Sequence, residues 1–188
     1  MKKEKEDRRI KYTKSLLKEA LIRQMHTQHI RMISVKSLCD LADVNRSTFY
    51  AHYTDPSDLL HQIEQELLGN LKAYLESQNC PDEQTMSIQV LEWILEYLKE
   101  NAPLCKVLLS ENCDLAFQKD VMDLAQGIFV QMNSPMDQRT QEYLSLYSVT
   151  GCIRVIQKWL HDDMFEPPAQ ISALIMHMTL DGIRGFQA

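Results

Sequence analysis

Glycine and proline are scarce in this chain, 5 and 6 among 188 residues. A turn-rich β fold needs more of both, so the shortage favours helices. No apolar run approaches the ~20 residues of a membrane span, so no membrane partner is expected. The opening stretch, Met1–Arg9, is charged and lacks an apolar core, so no signal peptide is expected either. Cysteines number five, at positions 39, 80, 105, 113 and 152, and none forms a C-x-x-C pair. An odd, unpaired set predicts reduced thiols in a cytoplasmic protein rather than a disulfide framework or zinc module. A redox-sensing cysteine would need a thiolate-favouring environment. Catalytic signatures are missing too: no G-x-G-x-x-G, G-x-S-x-G, P-loop or H-E-x-x-H occurs. No enzyme and no cofactor are expected. His26 and His29 lack the further ligands a metal needs, so surface placement is the simpler account.

Hydrophobic residues make up 45% of the chain, enough for a globular core. The net charge of −6 argues against a nucleic-acid partner at first sight. Its distribution argues the other way. Residues 1–60 hold twelve Lys and Arg against eight Asp and Glu, a balance of +4. Residues 61–188 hold eight against eighteen, a balance of −10. A basic module on an acidic body suggests a polyanion at one end, although a lysine-rich solvated terminus would look the same.

Helical spacing of apolar residues runs nearly throughout, and no sustained two-residue alternation calls for a sheet. A first helix is predicted over 7–28, with Leu16, Leu17, Ala20, Leu21 and Met25 as its stripe. A second spans 34–42, capped by Ser34 and buried through Val35, Leu38, Cys39 and Ala42. After Asp43-Val44-Asn45 comes a brief third helix over 46–53, capped by Asn45. Pro56 suits the first position of a fourth, long helix with Leu59, Leu60, Ile63, Leu67, Leu71, Tyr74 and Leu75 on one face. Asn79-Cys80-Pro81-Asp82 breaks it. Further helices are predicted over 85–100, 103–110, 114–132, 136–161 and 168–185, punctuated by Pro103, Pro135, Pro167 and Pro168. The expectation is an all-α chain with one domain over 1–56 and a second over 57–188.

Two short helices joined by a tight turn and backed by a longer one make a helix-turn-helix. Its second helix enters the major groove and needs polar residues at its start with apolar anchors behind. In Asn45-Arg46-Ser47-Thr48-Phe49-Tyr50-Ala51-His52-Tyr53, Phe49 and Tyr53 can anchor while the others face outward. The stretch from Ile33 to Tyr53, followed by Asp58-Leu59-Leu60, resembles the DNA-binding domain of the TetR family of transcriptional regulators. The pattern is a V-x-x-L-x-x-x-A-x-V core, then Thr48-Phe49-Tyr50, then an aromatic three residues on. The resemblance covers about residues 8–60. Leu109-Ser110-Glu111-Asn112 and the segment from Gly151 to Leu160 resemble the C-terminal domains of small members of that family.

The resemblance implies that Thr48 and Tyr50 hold phosphates, which set register without reading sequence. It places Asn45, Arg46, Ser47 and His52 where base or phosphate contacts are made. Arg46 is the candidate for a bidentate contact to guanine. Ser34 and Lys36 would meet the backbone at the positive end of the second helix. One departure stands out. A lysine that grips a phosphate at the start of the fourth helix in many members is replaced here by Pro56, between Asp55 and Asp58. Lys2, Lys3, Lys5, Arg8 and Arg9 are the basic residues available to compensate. Singly, each of these residues reads as an ordinary core or surface position. The functional reading rests on their order and offsets.

The segment 136–161 is apolar around most of its circumference, so burial on all sides is expected, with Gly151 permitting close helix approach. By resemblance, it joins the last helix in a bundle across a two-fold axis. The expected homodimer interface is Tyr143, Tyr147, Ile153, Ile156, Trp159, Ile171, Leu174, Ile175 and Met178. Two-fold symmetry suits a palindromic double-stranded operator. The resemblance further implies a repressor answering to a small-molecule effector or a partner protein. Candidate pocket-lining residues are Trp93, Tyr97, Leu108, Phe117, Met122, Phe129 and Tyr147, each of which ordinary core packing also explains. A helical adaptor that no longer binds DNA is the alternative, supported only by Pro56 and the acidic total charge.

Overall fold

The computed structural model describes residues 2–78, 88–110, 115–130 and 137–184, with backbone only at 2–7, 115, 127–130 and 180–184. The described residues are all helix or connection, with no strand among them. The helices are α1 (Lys2–Met25), α2 (Val35–Ala42), α3 (Arg46–Tyr50), α4 (Pro56–Ser77), α5 (Ile88–Glu100), α6 (Ala102–Leu108), α7 (Leu115–Val130), α8 (Gln138–His161) and α9 (Pro168–Arg184). The expected all-α class is therefore observed. Among the described residues the chain forms two compact units, one of 2–67 with Ser110 and one of 68–109 with those from 115 onward. The changeover falls inside α4, eleven residues beyond Pro56.

In the first unit the apolar stripe of α1, Leu17, Ala20, Leu21 and Met25, is buried. It packs on α2, which contributes Leu38, Cys39 and Ala42. Phe49, Tyr53, Leu59, Leu60, Ile63 and Leu67 close this core. Two differences from the expected boundaries are informative. Helix α1 starts at Lys2 and ends at Met25, because the chain tightens at 26–28, where the Thr27 N–H and hydroxyl both donate to Gln24 O. A 3₁₀ turn over Ile30–Met32 was not foreseen. His29 Nδ1 caps it by accepting from the Arg31 N–H, and Ile30 and Ile33 turn inward.

In the second unit α5 packs mainly on α9, and α8 packs on α6, α7 and α9. Its core holds Leu95, Leu98, Leu104, Cys105, Leu108, Phe117, Val149, Leu160 and Ile175. Asp137 caps α8 by accepting from the Arg139 and Thr140 N–H groups. At the other end of α8, Asp163 and Met164 take left-handed conformations, φ 56° and 55°. The Met164 N–H reaches back to Trp159 O, a helix-ending bond that satisfies one of the last free carbonyls. Lys106 pairs with Asp163 and fixes that corner.

Candidate nucleic-acid interface

The turn before the reading helix is made by Asp43, which ends α2 at φ 52°, ψ 44°. Its own N–H and that of Val44 both bond to Cys39 O. That left-handed step turns the chain sharply, at a conformational cost that glycine would not bear. Val44 and Asn45 follow, and Asn45 Oδ1 accepts from the Ser47 N–H at 3.1 Å. The cap satisfies one of the free donors that start any helix, so a helix of only five residues can begin at Arg46.

Phe49 holds α3 down. Its side chain is 0% exposed, and its ring lies 5.6 Å from both the Tyr50 and Tyr53 rings. Tyr53 is buried beside it, and Lys14 of α1 sets its ammonium 5.7 Å from the centre of the Tyr53 ring. Burial foremost, then Glu66 and Asp58, pushes the Tyr53 hydroxyl above its ordinary range, so it stays neutral. The anchoring pair foreseen as Phe49 and Tyr53 therefore sits as expected. The regular helix, however, ends at Tyr50 rather than running to residue 53. Ala51 and His52 tighten into a turn, with the His52 N–H on Phe49 O, as helix ends often do.

The outward residues divide by exposure. Arg46, Ser47 and Tyr50 are exposed, Tyr50 at 58%. Thr48 and His52 are half-buried, and Asn45 is exposed but committed to its cap. Lys36 is exposed on α2, while Ser34 caps that helix by accepting from the Ser37 N–H at 3.0 Å. Asn45 and Ser34 thus each cap a helix through a side-chain oxygen.

The start of α4 explains what stands where a lysine would. Asp55 Oδ1 accepts from the Ser57 and Asp58 N–H groups at 2.7 and 2.9 Å. Asp58 Oδ2 returns the bond, accepting from the Thr54 N–H at 2.9 Å. These bonds, a variant of the capping box that reaches one residue further back, satisfy the helix end from within the chain. The Thr54 N–H, then Gln62, hold the Asp58 carboxyl below its ordinary range. Sequence reading set Asp55 and Asp58 beside Pro56 and took Asp58 into the family-like stretch, but did not foresee their capping bonds. Their spacing of three residues around a helix-starting proline was the available signal.

The second unit holds several other candidates. Tyr97, Leu108 and Phe117 are buried in its core, and Trp93 and Met122 are half-buried. The Phe129 side chain lies outside the described residues, as do those of Lys2, Lys3 and Lys5. Trp159 is 2% exposed and donates its indole N–H to Glu166 O at 2.9 Å, and Ile171 and Ile175 are buried within the same chain. Ile153 and Ile156 are half-buried. What remains outside is Tyr143, Leu146, Tyr147, Leu174 and Met178, with Tyr147 at 80%. Helix α8 is therefore not buried on all sides within its chain. A Cβ added at Gly151 would meet nothing within 4 Å, so no close helix approach occurs there inside the protomer. An open groove of about 430 Å³ between α8 and α9 is lined by Thr140, Tyr143, Leu144, Tyr147, Ser148, Met178 and Thr179. Of the expected pocket residues whose side chains are described, Tyr147 alone lines it.

Burial pushes the Cys105 thiol up to about 12 and raises Cys39 and Cys152 as well. These three stay protonated thiols at neutral pH, which disfavours a redox role for them. Cys80 and Cys113 lie outside the described residues. Among the described residues no helix is long and apolar enough to cross a membrane.

Residues 87–181 match the TetR-class family described as the transcriptional regulator C-terminal region. The fold is shared with a TetR transcriptional regulator from Streptococcus agalactiae, at 21% identity and a TM-score of 0.68, over 93% of this chain and 97% of that one. The fatty acid degradation regulator FadR from Bacillus halodurans is similar at 14% identity and 0.71, over 92% and 96%. FadR from Bacillus subtilis, solved in complex with stearoyl-CoA, is similar at 13% identity and 0.63, over 89% and 98%. No curated protein sequence matches the chain.

Proposed function

We propose that this chain, which belongs to the TetR family of transcriptional regulators, is a homodimeric cytoplasmic repressor of a palindromic double-stranded operator, answering to a small-molecule effector or a partner protein. The observation that carries the DNA-binding part is the build of α3. A fully buried Phe49 and the Asn45 cap hold a short helix whose Arg46, Ser47 and Tyr50 side chains stand clear of the protein. Arg46 then reads guanine through its two-pronged guanidinium. Tyr50 and the hydroxyl of Thr48 take phosphates, and Lys36 adds a backbone contact.

Dimerisation uses the apolar face that α8 and α9 leave outside. Tyr143, Leu146, Tyr147, Leu174 and Met178 recur at three- and four-residue steps, so each helix offers one continuous stripe. An exposed apolar stripe of this length on a folded chain marks a contact surface. Gly151, exposed and without neighbours, lets a partner helix come close. The groove shares Tyr143 and Tyr147 with this face and belongs to it, which leaves the effector site unassigned. Two copies related by a two-fold axis present two α3 helices to half-sites one helical turn apart, ~34–36 Å, or a multiple of it.

The test is an anisotropy titration on DNA from upstream of the chain's own gene. Salt-sensitive binding that prefers this DNA over a scrambled duplex is expected, with the preference lost in Arg46→Ala and the affinity lowered in Tyr50→Phe. Equal binding of both duplexes by the wild type, unchanged in Arg46→Ala, would refute the sequence-reading role.

A further inference from the structure

Helix α1 does two jobs along its 24 residues, and only one of them is structural. From Leu17 onward it is packed, with Leu17, Ala20, Leu21 and Met25 buried. Before Leu17 no described residue is buried. Arg8, Arg9, Ile10, Lys11, Tyr12, Lys14 and Ser15 are all exposed, Tyr12 at 67%. Residues 2–18 carry eight Lys and Arg against three Asp and Glu. Among the described residues no carboxylate pairs with Arg8, Arg9 or Lys11. Arg8, Lys11, Lys14 and Lys18 follow one another at three- and four-residue steps, so like charges share one face. Such spacing weakens an isolated helix. Folding of the domain engages Lys18, which pairs with Glu66, and Lys14, which lies over the Tyr53 ring, but shows no such partner for Arg8, Arg9 or Lys11 among the described residues. An external polyanion would supply one.

The position of this segment points to which one. Lys14 stands over the Tyr53 ring, and Tyr53 directly follows the reading-helix turn. Helix α1 therefore passes the end of α3 at Lys14. Its preceding twelve residues extend about 18 Å from there at 1.5 Å per residue. That length of duplex carries about ten phosphates. We propose that the unpacked basic segment of α1 that carries Arg8, Arg9 and Lys11 is a second DNA-binding element that holds the sugar-phosphate backbone flanking the bases met by α3. It supplies the phosphate grip that Pro56 cannot. Because it meets phosphates rather than base edges, it adds affinity and salt dependence and leaves sequence preference alone. The inference rests on the DNA-binding reading above.

The experiment compares the full-length chain with an Arg8→Ala, Arg9→Ala, Lys11→Ala triple variant. Fluorescein-labelled duplexes of about 30 base pairs, one of the upstream sequence and one scrambled, are titrated from low to high salt. The expected result is weaker binding of both duplexes by the variant. Its slope of log affinity against log salt should be shallower by about 2–3, since each lost phosphate contact removes about 0.9. The preference between duplexes and the thermal midpoint should stay unchanged. A triple variant with wild-type affinity and slope overturns the inference, while Arg46→Ala in the same assay still reports on α3 by itself. A wild type that binds neither duplex overturns this inference and the DNA-binding reading together. Phosphatidylserine vesicles bound by the wild type and lost by the variant, with DNA binding unaltered, would reassign the segment to a membrane surface.

Discussion

Around α3 Arg46, Ser47 and Tyr50 are exposed, and along the described residues of α8 and α9 the exposed large apolar side chains are Tyr143, Leu146, Tyr147, Leu174 and Met178. Both regions sit on helices that bury a mainly apolar face, with Ser145, Ser148 and Ser172 the buried hydroxyls of α8 and α9, so the sharper difference lies in what they turn outward. A polar, cationic exterior suits a partner that brings its own charge and water. An apolar exterior suits a partner that removes it from water, as a second copy of the same helices would. The first region needs precise caps because its helix is short. The second needs none beyond Asp137, because α8 is long enough to be held by packing.

The comparison can be broken most forcefully at Phe49. Phe49→Ala removes a side chain with no exposed surface and should cost about 3–5 kcal/mol of stability. Denaturant unfolding should show that loss, and DNA binding should go with it. On α8 Tyr147→Glu should leave folding alone, because the ring is already exposed. Sedimentation equilibrium should instead show the dimer weakened by about 2 kcal/mol or more, the scale of an interface anchor. If the variant sediments as wild type does, the apolar stripe is not the dimer seam.

Arg46→Ala should cost about 1–3 kcal/mol of base discrimination while the melting temperature stays put, since the residue is exposed. Competition between duplexes differing at single guanines would measure it. Asp43→Gly should stabilise the first unit by up to about 1 kcal/mol by relieving the left-handed backbone at φ 52°. No gain in a chemical melt would mean the aspartate is held there by something more than turn geometry.

The smallest effect concerns acid. Asp58 has a folded pKa below its ordinary value, first because of the Thr54 N–H. Protonation therefore favours the unfolded chain. The capping bond is intact above about pH 4, the ordinary aspartate range, and its contribution fades as pH falls through the lower folded value. Asp58→Asn should flatten that part of the stability-against-pH curve and leave the neutral range nearly unchanged.

Much of the reading region was legible because its determinants are local. Ser34 caps a helix three residues ahead, Asn45 two ahead, and Phe49 and Tyr53 are one helical turn apart. The end of the regular helix at Tyr50 was not legible. It depends on how Ala51 and His52 tighten ahead of a capped proline start. Asp55 and Asp58 were placed beside Pro56 by the sequence, but only their bonds show them capping the start of α4.

The sequence by itself determined the all-helical class, the positions of most helices and the helix-turn-helix. Periodicity, caps and turn residues act over three or four positions, and that range is written directly in the chain. Only the tertiary structure decided which face of an apolar helix lies inside. On α8, Trp159 and Tyr147 look alike in sequence, yet one is 2% exposed and the other 80%. Helix α8 packs on α6, α7 and α9, including residues some fifty positions away, as Gln157 does by donating to Leu109 O. Burial is a property of that arrangement, and no spacing within one helix encodes it.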